Sequence, residues 1–168
     1  MLILMRIIHV LSGVAWAGGV FMMASLVEPS ARGTGPEGGK FMQYLAGPGK
    51  LPIYMTTSGL LSVLSGLYLM WVRSGGFNGE WFGTGQGIAL SIGATAGILS
   101  AVIGNIMPRK ARTEMARIGQ QIQAAGGPPS PALLAELNVQ RERLAQAGRI
   151  TALLLVIAVI GMSLNGYV

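Results

Sequence analysis

Residues 87–107 read GIALSIGATAGILSAVIGNIM, a run with no charged side chain, and Pro108-Arg109-Lys110-Ala111-Arg112 follows it at once. An uninterrupted apolar stretch of this length is what a helix needs to cross the roughly 30 Å hydrocarbon core of a bilayer. The abrupt basic cluster marks where such a helix would meet a headgroup region. Three more stretches have the same character, at residues 3–27, 51–72 and 150–168. The pattern predicts an all-α protein, a four-helix bundle integral to a membrane, with residues 1–168 forming one domain. Composition agrees, since 51% of the 168 residues are hydrophobic and only 11% are charged.

The 12 basic residues outnumber the 6 acidic ones, but they bunch between the apolar runs and lack interleaved aromatics, so nucleic acid is not the expected partner. They report topology instead. Arg32, Lys40 and Lys50 lie in the first loop, and Arg109, Lys110, Arg112, Arg117, Arg141, Arg143 and Arg149 lie in the third. Only Arg6 and Arg73 belong to the other side. Because cytoplasmic loops retain Lys and Arg, both loops are expected in the cytoplasm and both termini in the periplasm or outside, in a bacterial inner membrane. Ala15-Trp16-Ala17 formally matches a signal-cleavage pattern, yet the apolar run continues through Val20-Phe21-Met22-Met23, so the first segment reads as an uncleaved span.

The third loop, 108–149, carries its own pattern. Ala111, Met115, Ile118, Ile122 and Ala125 recur at four-three spacing, as do Leu133, Leu137, Leu144 and Ala147, with Gln140 interrupting. Two such stripes suit a short coiled coil. Gly126-Gly127-Pro128-Pro129 breaks the helix between them, Ser130 can cap the next one and Pro131 suits its first turn. The third and fourth spans are thus expected to extend as a cytoplasmic antiparallel hairpin roughly 25 Å long at 1.5 Å per residue. A solvated spacer is the plainer reading of this hairpin, and a docking arm for another protein the sharper one. In the first loop, Lys40-Phe41-Met42-Gln43-Tyr44-Leu45 suits the interface. Trp81-Phe82 in the outer loop suits a headgroup anchor.

No cysteine and no aspartate occur, and each glutamate lies outside the apolar runs. Cysteine nucleophiles, thiolate metal sites and buried carboxylate pairs are therefore excluded. There is no nucleotide loop or zinc motif, so no catalytic residue is assigned. Gly93, Gly97, Ser100 and Gly104 share one face of the third span, while Ser58, Ser62 and Ser65 form a hydroxyl stripe beside Gly59 and Gly66 in the second. Small residues mark where membrane helices touch.

His9 stands apart, because an ionisable side chain within a span is costly and usually faces a cavity, a partner or a cofactor. Helical spacing places Ser12, Gly13 and Trp16 on its face. Counting 1.5 Å per residue sets His9 roughly 9 Å deep, at a level with Ser65, Gly66, Gly93 and Met162. One reading is a b-type haem, with Gly66 and Gly93 leaving room for the macrocycle and His9 and Met162 as axial ligands. Arg6, one turn earlier, would pair a propionate or else snorkel to headgroups. The other reading is a neutral histidine hydrogen-bonded to a serine or a backbone carbonyl.

The segment Ile8-His9-Val10-Leu11-Ser12-Gly13-Val14-Ala15-Trp16-Ala17-Gly18-Gly19, followed by Pro29, resembles the first helix of a group of small bacterial membrane families. These are the copper-resistance protein D-like proteins, the J-type protoporphyrinogen oxidases and related four-helix proteins. The resemblance implies a haem-binding or copper-related membrane protein with His9 at the ligand position, acting in electron transfer, haem handling or copper transport. The J-type oxidases pair that histidine with a lysine in a later span, and this third span carries neither lysine nor histidine. The copper families offer more histidine or methionine ligands than the scattered methionines here. A cofactor-free accessory or scaffold protein is the alternative, and a homo-oligomer would bring two copies of His9 together.

Overall fold

A computed structural model describes residues 1–167, with position 165 described by its backbone alone. The expected end of the last span, Val168, lies outside the described residues. The described chain is helical, with no strand among its elements. Four helices are long and apolar enough to cross a membrane.

The first of these is longer than its apolar run. Helix α1 (Leu2–Met22) passes through a π-helical turn at Met23–Val27 into α2 (Glu28–Gly33), giving one 32-residue rod. The wide turn ends just before Pro29, where Glu28 N bonds Met23 O five residues back. Proline removes a ladder donor and crowds the preceding turn, and a π turn relieves that crowding without ending the helix. The helix therefore runs six residues beyond Val27, where the apolar run ends.

Gly35, at φ 63°, turns the chain, and α3 (Pro36–Ala46) folds back on α2. Gly38 sits directly against the Ala31 carbonyl, where no Cβ fits. Lys50, in the left-handed region at φ 54°, leads into α4 (Leu51–Arg73). The connection after α4 holds the short α5 (Gly79–Phe82), capped by Asn78 Oδ1, which accepts from Glu80 N at 3.0 Å. Phe77, Trp81 and Phe82 cluster there, with Phe77 stacked on Phe82 and Trp81 edge-on to Phe82.

Helix α6 (Gly85–Ala125) begins with Thr84 Oγ1 accepting from Gly87 N at 3.0 Å and runs for 41 residues, through Pro108, to a left-handed Gly126 at φ 61°. Ser130 Oγ accepts from Leu133 N at 3.3 Å to open α7 (Pro131–Ser163). The two pack antiparallel over their length. Ser100 Oγ, fully buried, donates to Thr151 O at 3.2 Å. Nearer the start of α6, a Cβ on Gly161 would lie 2.7 Å from Ala89 O and 2.9 Å from Gly93 N, so the backbones touch. Beyond the apolar stretch, Ile118 is fully buried and Ala111, Ala145 and Ala147 are nearly so. Arg117 bridges Glu114 at 2.7 Å and Glu136 on α7, and the hydrogen bond it donates to Glu114 together with the nearby Glu136 charge holds its guanidinium pKa above the ordinary value. Gln140, the interruption in the second stripe, is buried, and its Oε1 accepts from Arg143 Nη1 at 3.4 Å.

Helix α1 packs on α4, and α4 meets α6 where Thr56 Oγ1 donates to Asn105 Oδ1 at 3.1 Å. Burial within the fold covers only 17–39% of the apolar windows. Ile7, Val10, Leu11 and Val14 on α1, and Leu153, Val159 and Ile160 on α7, point outward. Contiguous apolar surface on that scale is stable only in an apolar medium.

Candidate functional site

The α1–α4 interface is built from residues that let two backbones approach. On α1, His9, Ser12, Gly13 and Trp16 face α4, which answers with Ser58, Gly59, Ser62, Ser65 and Gly66. Trp16 is 7% exposed and its indole lies on Gly59, where a Cβ would come within 3.1 Å of Cε2. Gly13 faces Ser62 Oγ, with 3.3 Å from its Cβ position. Serine hydroxyls along the seam return to their own helices: Ser12 Oγ donates to Ile8 O at 2.6 Å, Ser58 Oγ to Tyr54 O at 2.7 Å and Ser65 Oγ to Leu61 O. Buried hydroxyls in a span are satisfied this way without a partner helix.

Two side chains cross the seam with hydrogen bonds, Tyr54, whose Oη donates to Ala15 O at 3.4 Å, and His9. The His9 Nδ1 lies 2.8 Å from Ser62 O. A carbonyl oxygen only accepts, so Nδ1 is the donor in this bond. The ring lies against Gly66, where a Cβ would stand 2.8 Å from Cε1 and 3.0 Å from Nδ1. Of the two open forms of the histidine reading, the structure shows the hydrogen bond to a backbone carbonyl, made to the neighbouring helix.

The remaining expected site residues divide between interfaces. Arg6 is exposed one turn before His9. Gly93 does not face the imidazole: it packs on α7, and a Cβ there would lie 3.1 Å from Ala158 O and 3.3 Å from Met162 N. Met162 therefore belongs, with Gly93, to the α6–α7 contact, whereas His9, Trp16 and Gly66 belong to α1–α4. Counting residues places groups at a common depth, but it leaves open the direction each helix turns them.

A haem held between His9 and Met162 within one chain does not fit this arrangement. The notch at Gly66 is filled by the imidazole itself, and the space beside Gly93 is closed by the α7 backbone. Copper would need several soft or imidazole donors together, and the neighbours of His9 across the interface are a carbonyl oxygen and a glycine. Among the described residues, no group of three or more His, Cys, Asp or Glu converges. The imidazole thus links α1 to α4 through Ser62 O and Gly66.

Two polar links escaped the sequence reading. Thr56–Asn105 joins α4 to α6, and its signal was the lone asparagine inside an apolar run. Arg32 joins α2 to α7, donating to Glu142 Oε2 at 3.2 Å and to Arg141 O at 3.3 Å while also bridging Glu28 at 2.8 Å. Nothing in the local sequence pairs positions so far apart. No family model, curated protein or solved structure matches the chain.

Proposed function

We propose that this chain is a four-helix bacterial inner-membrane protein, with both termini periplasmic, that works as a non-enzymatic accessory protein. It holds a basic helical hairpin at a fixed position beneath the membrane for an acidic protein partner. The observation that carries this reading is the unbroken passage of α6 and α7 from their apolar stretches into a packed pair with Ile118 fully buried. A floppy spacer needs no such core. Arg109, Lys110, Arg141, Arg143 and Arg149 stay exposed around it, Arg149 at 3.5 Å from Glu142, and a surface on which basic residues outnumber acidic ones steers an acidic partner.

The test is photo-crosslinking in cells from a benzoyl-phenylalanine at Gln120 or Gln123. A discrete protein adduct that the charge reversals Arg141→Glu and Arg143→Glu abolish, with membrane insertion intact, supports the hairpin as a docking arm. No adduct, or one indifferent to those charges, overturns it.

The second reading rests on the His9 tautomer. Metal-ligating histidines characteristically donate their other ring N–H to a carbonyl, and the Ser62 bond leaves Nε2 as the ligating nitrogen. On this reading His9 offers its Nε2 lone pair to a b-type haem shared with a second copy of the chain. Protein expressed with ample haem and purified in mild detergent would show a Soret band, lost in His9→Ala. Its absence overturns this reading, and copper analysis of the same sample tests copper binding by His9.

A further inference from the structure

A shallow, open groove of about 470 Å³ lies between the end of the first rod and α3. One end is apolar, formed by Leu26, Val27 and Phe41, with Leu26 and Phe41 64% and 50% exposed. The other end is polar, formed by Thr34 and Glu37. On the topology proposed above, on which this inference rests, the apolar end continues the lipid-facing surface of α1 and the polar end lies at the cytoplasmic headgroups. The groove therefore crosses the boundary between the two as a phospholipid does.

Its polar end shows which headgroup suits it. Thr34 Oγ1 donates back to Ser30 O at 3.2 Å and Ala31 O at 3.1 Å, so its remaining capacity toward the groove is as an acceptor. Glu37 adds a carboxylate, and Lys40, one turn on, supplies a single cation at 2.8 Å from Glu37. Both side chains of that ion pair are more than 70% exposed, and exposed pairs separate at little cost. A ligand carrying a hydrogen-bonding ammonium beside a phosphate matches this pair charge for charge.

We propose that the α2–α3 groove binds an aminophospholipid of the phosphatidylethanolamine type. An acyl chain lies along Leu26, Val27 and Phe41, the ammonium donates to Glu37 and Thr34, and the phosphate meets Lys40. A choline headgroup has the same charges but no N–H to donate. A glycerol headgroup lacks the cation.

The experiment is native mass spectrometry of the full chain in detergent, with phosphatidylethanolamine, phosphatidylcholine and phosphatidylglycerol of identical acyl chains in competition. The wild type should retain phosphatidylethanolamine at least threefold over phosphatidylcholine. Glu37→Gln, an exposed change that leaves the helices intact, should reduce that ratio to about one. Equal retention of all three lipids, preference for phosphatidylglycerol, or a preference unchanged in Glu37→Gln overturns the proposal. Alkaline carbonate extraction of the same membranes separates the two failures. A chain released as soluble protein overturns the membrane placement, and a chain that stays in the membrane without headgroup preference overturns the groove assignment alone.

Discussion

Substituting Gly66 by alanine tests the central contact between α1 and α4. The new Cβ would stand 2.8 Å from His9 Cε1 and 3.0 Å from Nδ1, so the ring must move, and in moving it gives up its bond to Ser62 O. Interhelical hydrogen bonds in membranes contribute about 0.6 kcal/mol, up to ~1.7, and overpacking adds about 1–3 kcal/mol. Alanine returns up to about 1 kcal/mol through helix propensity. Gly66→Ala should therefore destabilise by about 1–3 kcal/mol. His9→Ala loses the same bond and leaves a void. In the double variant the Cβ enters the space the ring has left, so the two losses should fall short of their sum by about 1–2 kcal/mol, well beyond the ~0.5 kcal/mol scatter of independent sites. Reversible unfolding by SDS in mixed micelles gives the four free energies. Gly18→Ala, whose Cβ meets nothing within 4 Å, is the control. Additivity of Gly66→Ala and His9→Ala would refute the reasoning, because it would mean the imidazole does not rest on Gly66.

Three further outcomes are expected. Gly161→Ala places a Cβ 2.7 Å from the Ala89 carbonyl oxygen; backbone cannot rotate away as a side chain can, so a loss of about 2 kcal/mol or more is expected in the same assay. Ile118→Ala empties a fully buried position and should cost ~2–5 kcal/mol, read as accelerated tryptic cleavage at Arg117 in inside-out vesicles while the apolar stretches stay protected. Because the chain has no cysteine, single cysteines report topology directly. Asn78→Cys should react with a membrane-impermeant maleimide in intact cells and Gln123→Cys only after lysis, and the reverse pattern would invert the proposed orientation.

Much of the helical layout was legible because its signals are local. A run such as Gly87–Met107 carries its meaning in length and hydropathy alone, and the break at Gly126–Ser130 is written in residues that end, turn and cap helices whatever surrounds them. The stripe through Ala111, Met115 and Ile118 likewise points inward in the fold, although Ala125 at its end is exposed. The apolar run of the first rod ends at Val27, and the helix continues past it to Gly33 through a π turn, because polar residues can extend a helix that hydropathy alone does not mark.

The site was half legible. His9, Trp16 and Gly66 are notable on sequence grounds and meet at one interface. Gly93 and Met162 are equally notable and lie at another. The sequence by itself determined which segments are helices, how long their apolar runs are and which faces carry small residues, since these follow from the residues of one segment. Only the tertiary structure decided which helix each face meets. Four helices of similar hydropathy can be paired in several ways, and the choice lies in contacts such as Gly161 against Gly93 or the His9 ring in the Gly66 notch, which exist only once two backbones have come together. That choice set the His9 ring on Gly66 with Nδ1 against Ser62 O, while the Met162 backbone lies against Gly93.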